Sequence, residues 1–401
     1  MTMIKQQDIN KVLDAANIVD VVSDFVQLTP KGKVLKGLCP FHEDSNPSLT
    51  ISPAMNIFKC FACGEGGGPI KFVEKHENYS FPEAVKYLAK KYGIIIDEKA
   101  PTAEEEAQYK HMESLWLANE RLCEVYQKQL EKNKDAQEQS WGRWGEEFCK
   151  TLGIGFCPKF AHLVDTALIP EDIVKELNLK NSAGYDFFSG RIIIPIRDKQ
   201  HHIIGFTARD LDREKKEHKY LNSQDSVIYK KSKSVLGIDT AWKEARTTKS
   251  FYIVEGAPDV LRLQSIGVYN TVAPLGTALT DENLNLLKKV ASHLCFLPDS
   301  DPPKEKQKFG AGINAVLMNG EKAMRHGFTV SVKEIPLTKE QIEANKKEDP
   351  DSYCKSLELF QGIKETDFIL WMADKKYEKD WTTEQKKAYI EWGMIRFRKS
   401  K

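Results

Sequence analysis

The stretch Phe251-Tyr-Ile-Val-Glu-Gly-Ala-Pro-Asp259 is a short apolar run that ends in an acid, a glycine, a proline and a second acid. Further on, Leu294-Cys-Phe-Leu-Pro-Asp-Ser-Asp301 repeats the order, apolar and then acidic. Short unbroken apolar runs bounded by turn residues read as buried strands of a parallel sheet. In an open α/β sheet, ligands bind beyond the carboxyl ends of the strands, and both runs deliver carboxylates there. Glu255 falls at the tip of the first strand. Pro258 suits the first turn of a helix and places Asp259 at that helix's start. Asp299 and Asp301, two residues apart on extended chain, point to the same side. Carboxylates gathered this closely repel one another unless a cation lies between them. Hard oxygen donors select Mg²⁺ or Mn²⁺. The residues therefore predict a phosphoryl-transfer metal site on a sheet edge. A third acidic pair, Asp349-Pro-Asp351, follows a predicted last strand at Phe328–Val332 and is the candidate to complete it.

The chain around this stretch has 401 residues, enough for several domains, and its 41% hydrophobic content supports packed cores. Its net charge is +1, so any nucleic-acid surface must be local rather than global. No apolar run reaches membrane-spanning length, and Met1-Thr-Met-Ile-Lys5 has no signal-peptide core, which predicts a soluble cytoplasmic protein with no membrane partner. Three of the eight cysteines cluster with a histidine, while Cys123, Cys149, Cys157, Cys295 and Cys354 are scattered. That distribution argues for one metal site plus buried free thiols and against a disulfide framework.

The cluster is Cys39-x2-His42-x17-Cys60-x2-Cys63. Two turn-borne pairs at this spacing, joined by a hairpin, supply the tetrahedral N/S set of a structural Zn²⁺. Unmetallated buried thiols would leave His42 without a role. Four protein ligands leave no open position, so this metal is structural. Helices are expected over 4–26, from Phe81 to Tyr92 and over 108–131. The charged, Pro-broken stretch 97–107 reads as a linker, and Lys132–Gln139 as a polar loop.

The two acidic motifs in order, strand-EGxxD and strand-DxD, resemble the TOPRIM domain. Cys39-Pro-Phe-His-Glu-Asp-Ser-Asn-Pro-Ser-Leu49 with Phe58-Lys-Cys-Phe-Ala-Cys-Gly64 is similar to the CHC2 zinc ribbon of bacterial DnaG-type primases. Gly153-Ile-Gly-Phe-Cys-Pro158, Ser189-Gly-Arg-Ile-Ile-Ile-Pro-Ile-Arg-Asp198, Ile204-Gly-Phe-Thr-Ala-Arg209 and Lys219-Tyr-Leu-Asn-Ser223 look like the polymerase core of the same family. The resemblance spans roughly residues 5–360. It implies a mixed α/β (α+β) fold, with a zinc-binding domain over 1–96, the linker, the N-terminal part of the core over 108–248, a TOPRIM subdomain on a mainly parallel sheet over 249–360 and a short helical tail over 361–401.

It also implies DNA primase activity, a nucleotidyltransferase reaction in which two or three Mg²⁺ or Mn²⁺ ions serve the joining of ribonucleoside triphosphates into a nascent RNA primer on a single-stranded DNA template. Glu255, Asp259, Asp299 and Asp301 would be the catalytic carboxylates, with Asp349 and Asp351 as further metal ligands. The family's template and nucleotide contacts carry over to Arg191, Arg197, Arg209, Lys219, Tyr220 and Asn222. Lys230 and Lys231 match with Ser232 in place of the family's turn glycine, and Gly276 and Thr277 lie in the matching GTALT segment. In the ribbon, Lys31, Lys33, Lys36, Lys59 and Lys71 supply cations, and Phe41, Phe58 and Phe61 supply stacking faces, for single-stranded DNA.

Two features depart from the family. After Asp301 the chain inserts Pro302-Pro-Lys304-Glu-Lys-Gln-Lys308 before Gly310-Ala-Gly312, and after Asp351 only fifty residues remain. The long helical domain with which replicative primases dock on a helicase is not among them, so helicase docking is not expected. One amphipathic tail helix, Thr383–Phe397, is expected to pack back on the TOPRIM part. Another TOPRIM enzyme, nuclease or topoisomerase, and a non-catalytic nucleic-acid-binding protein of the same fold stay open as alternatives.

Overall fold

The computed structural model describes residues 3–4, 6–96, 98–99, 102–212, 219–276, 278–302, 308–344 and 346–376, with positions 382, 384, 385, 388 and 391 beyond. These fall into two compact units, Met1–Tyr229 and Lys230–Lys401. No described helix is long and apolar enough to cross a membrane.

The first unit opens with two short helices, Gln6–Ala15 and Ile18–Ser23. Asn17 separates them: its Oδ1 accepts the Val19 N–H at 2.9 Å and caps the second. An antiparallel five-stranded sheet follows, in the order Thr29–Lys31, Val34–Gly37, Leu49–Ser52, Ile57–Cys60 and Gly66–Gly67. Its first hairpin pairs Lys31 with Val34, and the tight turn between them takes φ +65° at Gly32, which glycine adopts without a Cβ penalty. Helix Pro69–Glu77 packs on the last two strands, and helix Phe81–Lys91 packs against it. Val12, Ile18, Val22, Leu49, Ile51, Phe58, Phe72 and Leu88 form the core of this part.

The segment expected to be a linker is helical from Ala103. A 28-residue helix runs Ala103–Leu130. Thr102 and Glu105 close a reciprocal capping box, and Glu104, Glu105 and Glu106 lie on the positive end of the helix dipole. The same local chemistry overturns the expected loop at 132–139. Asn133 Oδ1 accepts the Ala136 N–H at 2.8 Å and starts the helix Lys134–Trp144. The long helix packs on a four-stranded antiparallel sheet ordered Tyr220–Asn222, Ile203–Asp210, Arg191–Arg197 and Gly155–Cys157. Leu115, Leu122 and Tyr126 meet Ile193, Phe206 and Ala208 in a second core. Gly155 is what lets strand and helix approach, since a Cβ there would stand 2.5 Å from that of Tyr126.

The second unit is built on a six-stranded sheet ordered Val235–Leu236, Thr271–Pro274, Ser250–Ile253, His293–Phe296, Thr329–Lys333 and Glu365–Asp367. The four central strands are parallel and the two edges antiparallel. Both runs read as buried parallel strands are there, and the helix Asp281–Lys288, capped by Thr280, lies between them in the chain. Phe251, Ile253, Val272, Leu294, Phe296, Val330 and Val332 make the sheet's share of the core. The edge strand Val235–Leu236 and the helix Ile238–Thr248, which lie before the expected boundary at 248, pack with this sheet. So does chain after Asp351: Glu365–Asp367 extends it, and Phe368, Trp371 and Met372 of the next helix, Phe368–Lys376, enter its core. The expected tail helix Thr383–Phe397 lies largely outside the described residues. All eight cysteines are free, and the five scattered ones are buried.

Candidate metal centres and nucleic-acid contacts

In the first unit, Cys39 follows the strand Val34–Gly37, His42 lies on the next turn, and Cys60 ends the strand Ile57–Cys60 with Cys63 on the turn beyond. The sheet therefore brings both pairs to one end. One ligand atom from each of the four residues lies within 4.8 Å of the others. Cys39 Sγ and Cys63 Sγ are 3.8 Å apart, and Cys60 Sγ and His42 Nδ1 are 4.0 Å apart. Two sulfurs bound to a tetrahedral zinc at about 2.3 Å would stand about 3.8 Å apart, so this donor set fits that ion in both chemistry and size.

The sequence reading missed what orders the set. Asp44 Oδ2 accepts the Cys39 N–H at 2.8 Å and the Ser48 hydroxyl at 2.6 Å, while Asp44 Oδ1 faces His42 Nε2 at 3.8 Å. The Ser48 hydroxyl and the Cys39 amide hold the Asp44 carboxyl down at about 2. His42 thus turns one ring nitrogen to the thiols and the other to a carboxylate, the outer-shell arrangement that fixes a metal-binding histidine. An acid two residues after a histidine and before Ser-Asn-Pro was the available signal.

Of the ribbon's expected stacking faces, Phe58 is core: it is buried against Phe41 and Phe72, with ring centroids 5.5 and 5.2 Å away. Phe61 is exposed. Lys59 donates to the Gly64 carbonyl and Lys71 pairs with Glu120.

In the second unit, the strand Ser250–Ile253 has Thr271–Pro274 on one side and His293–Phe296 on the other. The chain turns one way from it and then the other, which makes it the topological switch point where open α/β sheets hold ligands. Glu255 leaves this strand and Asp299 leaves its neighbour. Glu255 Oε1 accepts the Asp299 N–H at 3.1 Å. Carboxylate oxygens of Glu255, Asp299 and Asp301 all lie within 4.8 Å of one another. The helix Ala311–Arg325 closes the site from one side, where Gly312 lies against the acids. A Cβ on Gly312 would fall 2.4 Å from the Asp299 carbonyl oxygen and 2.6 Å from Glu255 Oε1.

Crowding shows in the acidities. Burial, and then the charge of Asp299, raise Glu255 to about 7, although the residue as a whole is exposed. Burial, and then Asp299, push Asp259 well up, and burial raises Asp299 against the pull of Lys347. Among the described residues, Asp299 Oδ1 is buried without a hydrogen-bond partner. An oxygen-only donor set with one orphaned buried oxygen suits a hard divalent cation.

The other three acids have local partners. Asp259 Oδ2 accepts the Gly256 N–H and its Oδ1 the Asp351 N–H, each at 3.2 Å. Asp349 Oδ1 accepts the Ser352 N–H at 2.7 Å. Asp351 is 2% exposed and lies 3.4 Å from Arg262 Nε. Their charges still act on the site, since Asp349 is among the causes that raise Asp259 and Asp299. The sequence reading also missed Lys347. Its Nζ lies 2.7 Å from Asp299 Oδ2 and 2.9 Å from Asp301 Oδ1. Burial works against its ammonium, but these two carboxylates hold it above the ordinary lysine range. One of two adjacent lysines in a charged loop gave no signal of that position.

The expected nucleic-acid residues divide by environment. Arg191 is buried and paired with Asp210 Oδ2 at 3.1 Å, and Arg197 Nη1 donates to the Leu152 carbonyl at 2.7 Å. Arg209 lies directly across the ladder from Tyr220, and Thr207 across from Asn222, so Arg209, Tyr220 and Asn222 share one sheet face. Lys219 is exposed at the head of that strand. In the second unit Lys230 and Lys231 are exposed, and Gly276 lies beside the Lys231 side chain. Thr277 lies outside the described residues.

Three family models match the chain in order: the CHC2 zinc finger over residues 4–104, the N-terminal domain of the DNA primase catalytic core over 125–242 and the Toprim domain over 249–333. A DNA primase of Clostridium acetobutylicum is 34% identical over 367 residues, covering 89% of this chain and 59% of the relative. One of Aquifex aeolicus is 36% identical over 306 residues, covering 75% and 60%. The chain thus spans about three fifths of the length of the curated relatives it matches. A crystal structure of the zinc-binding and RNA polymerase domains of the Aquifex aeolicus primase superposes with a TM-score of 0.64 at 30% identity, covering 98% of this chain and 94% of that one. With the ribbon's donor set, the switch-point carboxylates and this end-to-end match agreeing, the chain belongs to the bacterial DnaG-type primase family.

Proposed function

We propose that the protein is a DNA primase, a DNA-directed RNA polymerase that joins ribonucleoside triphosphates into short RNA primers on single-stranded DNA. The observation that carries this reading is the convergence of Glu255, Asp299 and Asp301 at the switch point of a parallel sheet, on a chain that also holds a four-ligand zinc ribbon. Glu255, Asp299 and Asp301 would hold two or three Mg²⁺ or Mn²⁺ ions, which when bound supply positive charge for the attacking 3′-hydroxyl, the α-phosphate and the departing pyrophosphate. Asp259 and Asp349 lie close enough to add negative charge, and Asp351 fixes the loop through Arg262.

Glu255, whose carboxylate accepts the Asp299 N–H and meets Asp299 and Asp301, is the pivotal metal ligand or the proton acceptor in this reading. Cys39, His42, Cys60 and Cys63 would hold one structural Zn²⁺. Arg209, Tyr220 and Asn222, on one face, suit phosphate contact and base stacking along a template. Lys219, Lys230, Lys231 and Gly276 are proposed as further nucleotide or template contacts, while Arg191, paired with Asp210, and Arg197, donating to the Leu152 carbonyl, brace their own strand. The division into a zinc-binding domain, a polymerase core and a TOPRIM part belongs to the same proposal, with the last taking in Val235–Thr248 and Glu365–Lys376 beside the expected 249–360.

The test is direct. The protein is incubated with a single-stranded template, labelled ribonucleotides and Mg²⁺, and short template-dependent RNA is expected. Cleavage or relaxation of DNA without synthesis would favour another TOPRIM enzyme. Template binding without any reaction would favour a non-catalytic protein.

A further inference from the structure

The acid site already carries a cation of the protein's own. Lys347 Nζ bridges Asp299 Oδ2 at 2.7 Å and Asp301 Oδ1 at 2.9 Å, two of the three converging carboxylates. The neighbouring Lys346 is engaged elsewhere, on Glu348 at 2.8 Å. The backbone beneath Lys347 is pinned: Ser300 N–H donates to the Glu348 carbonyl at 2.8 Å, an isolated bridge that ties this loop to the Asp299–Asp301 segment. The lysine side chain is 51% exposed, so its ammonium can leave for solvent by rotating about its own bonds while the loop stays in place. It contributes no ligand atom to a metal, yet it holds carboxylate oxygens that a metal needs.

We infer that Lys347 is the resident counter-ion of the acid site and competes with divalent cations for Asp299 and Asp301. It keeps the carboxylates together while no metal is bound, and it sets how much divalent cation the site requires. The inference rests on the nucleotidyl-transfer reading of this site. A unit positive charge within about 4 Å of a bound metal opposes it appreciably even at a half-exposed position, so removing it should tighten binding at least roughly tenfold.

The experiment is a titration of the zinc-loaded full chain with Mn²⁺, with free Mn²⁺ read by electron paramagnetic resonance. Wild type, Lys347→Met, Lys347→Arg and Glu255→Gln are compared, and melting curves confirm that each is folded. Lys347→Met should bind Mn²⁺ at least roughly tenfold more tightly than wild type, while Lys347→Arg, which keeps the charge, should stay near wild type. Equal or weaker binding by Lys347→Met overturns the inference. If Glu255→Gln weakens Mn²⁺ binding in that same experiment, the site itself stands and only the role of Lys347 falls. If neither wild type nor Lys347→Met binds Mn²⁺ at millimolar concentrations, both the inference and the metal site fall.

Discussion

The ribbon and the acid site are both ligand clusters at strand ends, but they are assembled in opposite ways. The ribbon gathers Cys39, His42, Cys60 and Cys63 from one stretch of chain through neighbouring antiparallel strands, and leaves no protein position open. The acid site gathers Glu255, Asp299 and Asp301 from strands joined by crossover helices, and even with Lys347 in place it leaves the buried Asp299 Oδ1 without a partner among the described residues. A closed soft-donor site contributes folding energy, whereas an open hard-donor site keeps coordination positions for chemistry.

That contrast is broken most visibly at the ribbon. Cys63→Ser should drop the zinc content to background and melt the 29–67 sheet, while the separate core around Ile193 and Phe206 persists. Metal analysis with circular dichroism checks this, and a variant that keeps both zinc and fold contradicts it. The next largest effect falls beside the acid site. Arg262→Ala strips the buried Asp351 of its guanidinium and should cost about 3 kcal/mol in denaturant melts. Gly312→Ala drives a methyl against the Asp299 carbonyl and should cost about 1–3 kcal/mol. A neutral result there would mean that the helix Ala311–Arg325 is not pressed on the acids.

The smallest effect is a pH slope. Glu255 is raised from 4.5 to about 7 in the folded protein. Its contribution to stability is therefore fully present below the unfolded value and lost as pH rises through the folded one. Metal-free protein should lose melting temperature between about pH 4.5 and 7. Glu255→Gln should flatten that slope, and saturating Mg²⁺ should flatten it too, because bound cations favour the ionised form. An unchanged slope in Glu255→Gln would mean that other groups set it.

The same contrast explains what could be read from the chain. Four ribbon ligands were legible because their spacing is local and their residue types are rare. The two acidic strand ends were legible because each follows an apolar run that can only be buried. What the spacing could not show is orientation: Asp351 turns to Arg262, and Asp259 reaches the Asp351 amide, interactions that link positions far apart in sequence. Lys347 was hidden for the same reason. The helix expected over 108–131 is there, but its first turn from Ala103 and the helix from Lys134 were missed where charge and proline outweighed Thr102-x-x-Glu105 and Asn133, caps that the sequence does contain. Phe58 carries the signal of a stacking ring, but a β-strand position facing helix Pro69–Glu77 makes it core.

The central claim is that synthesis belongs to the carboxylates. Its most direct test is dinucleotide formation on a single-stranded template by Glu255→Gln, alongside wild type and with template binding measured in parallel. Synthesis should fall by roughly a hundredfold or more with template binding unchanged, since one ligand charge is lost and no basic residue is touched. Near-wild-type synthesis by Glu255→Gln would contradict the account.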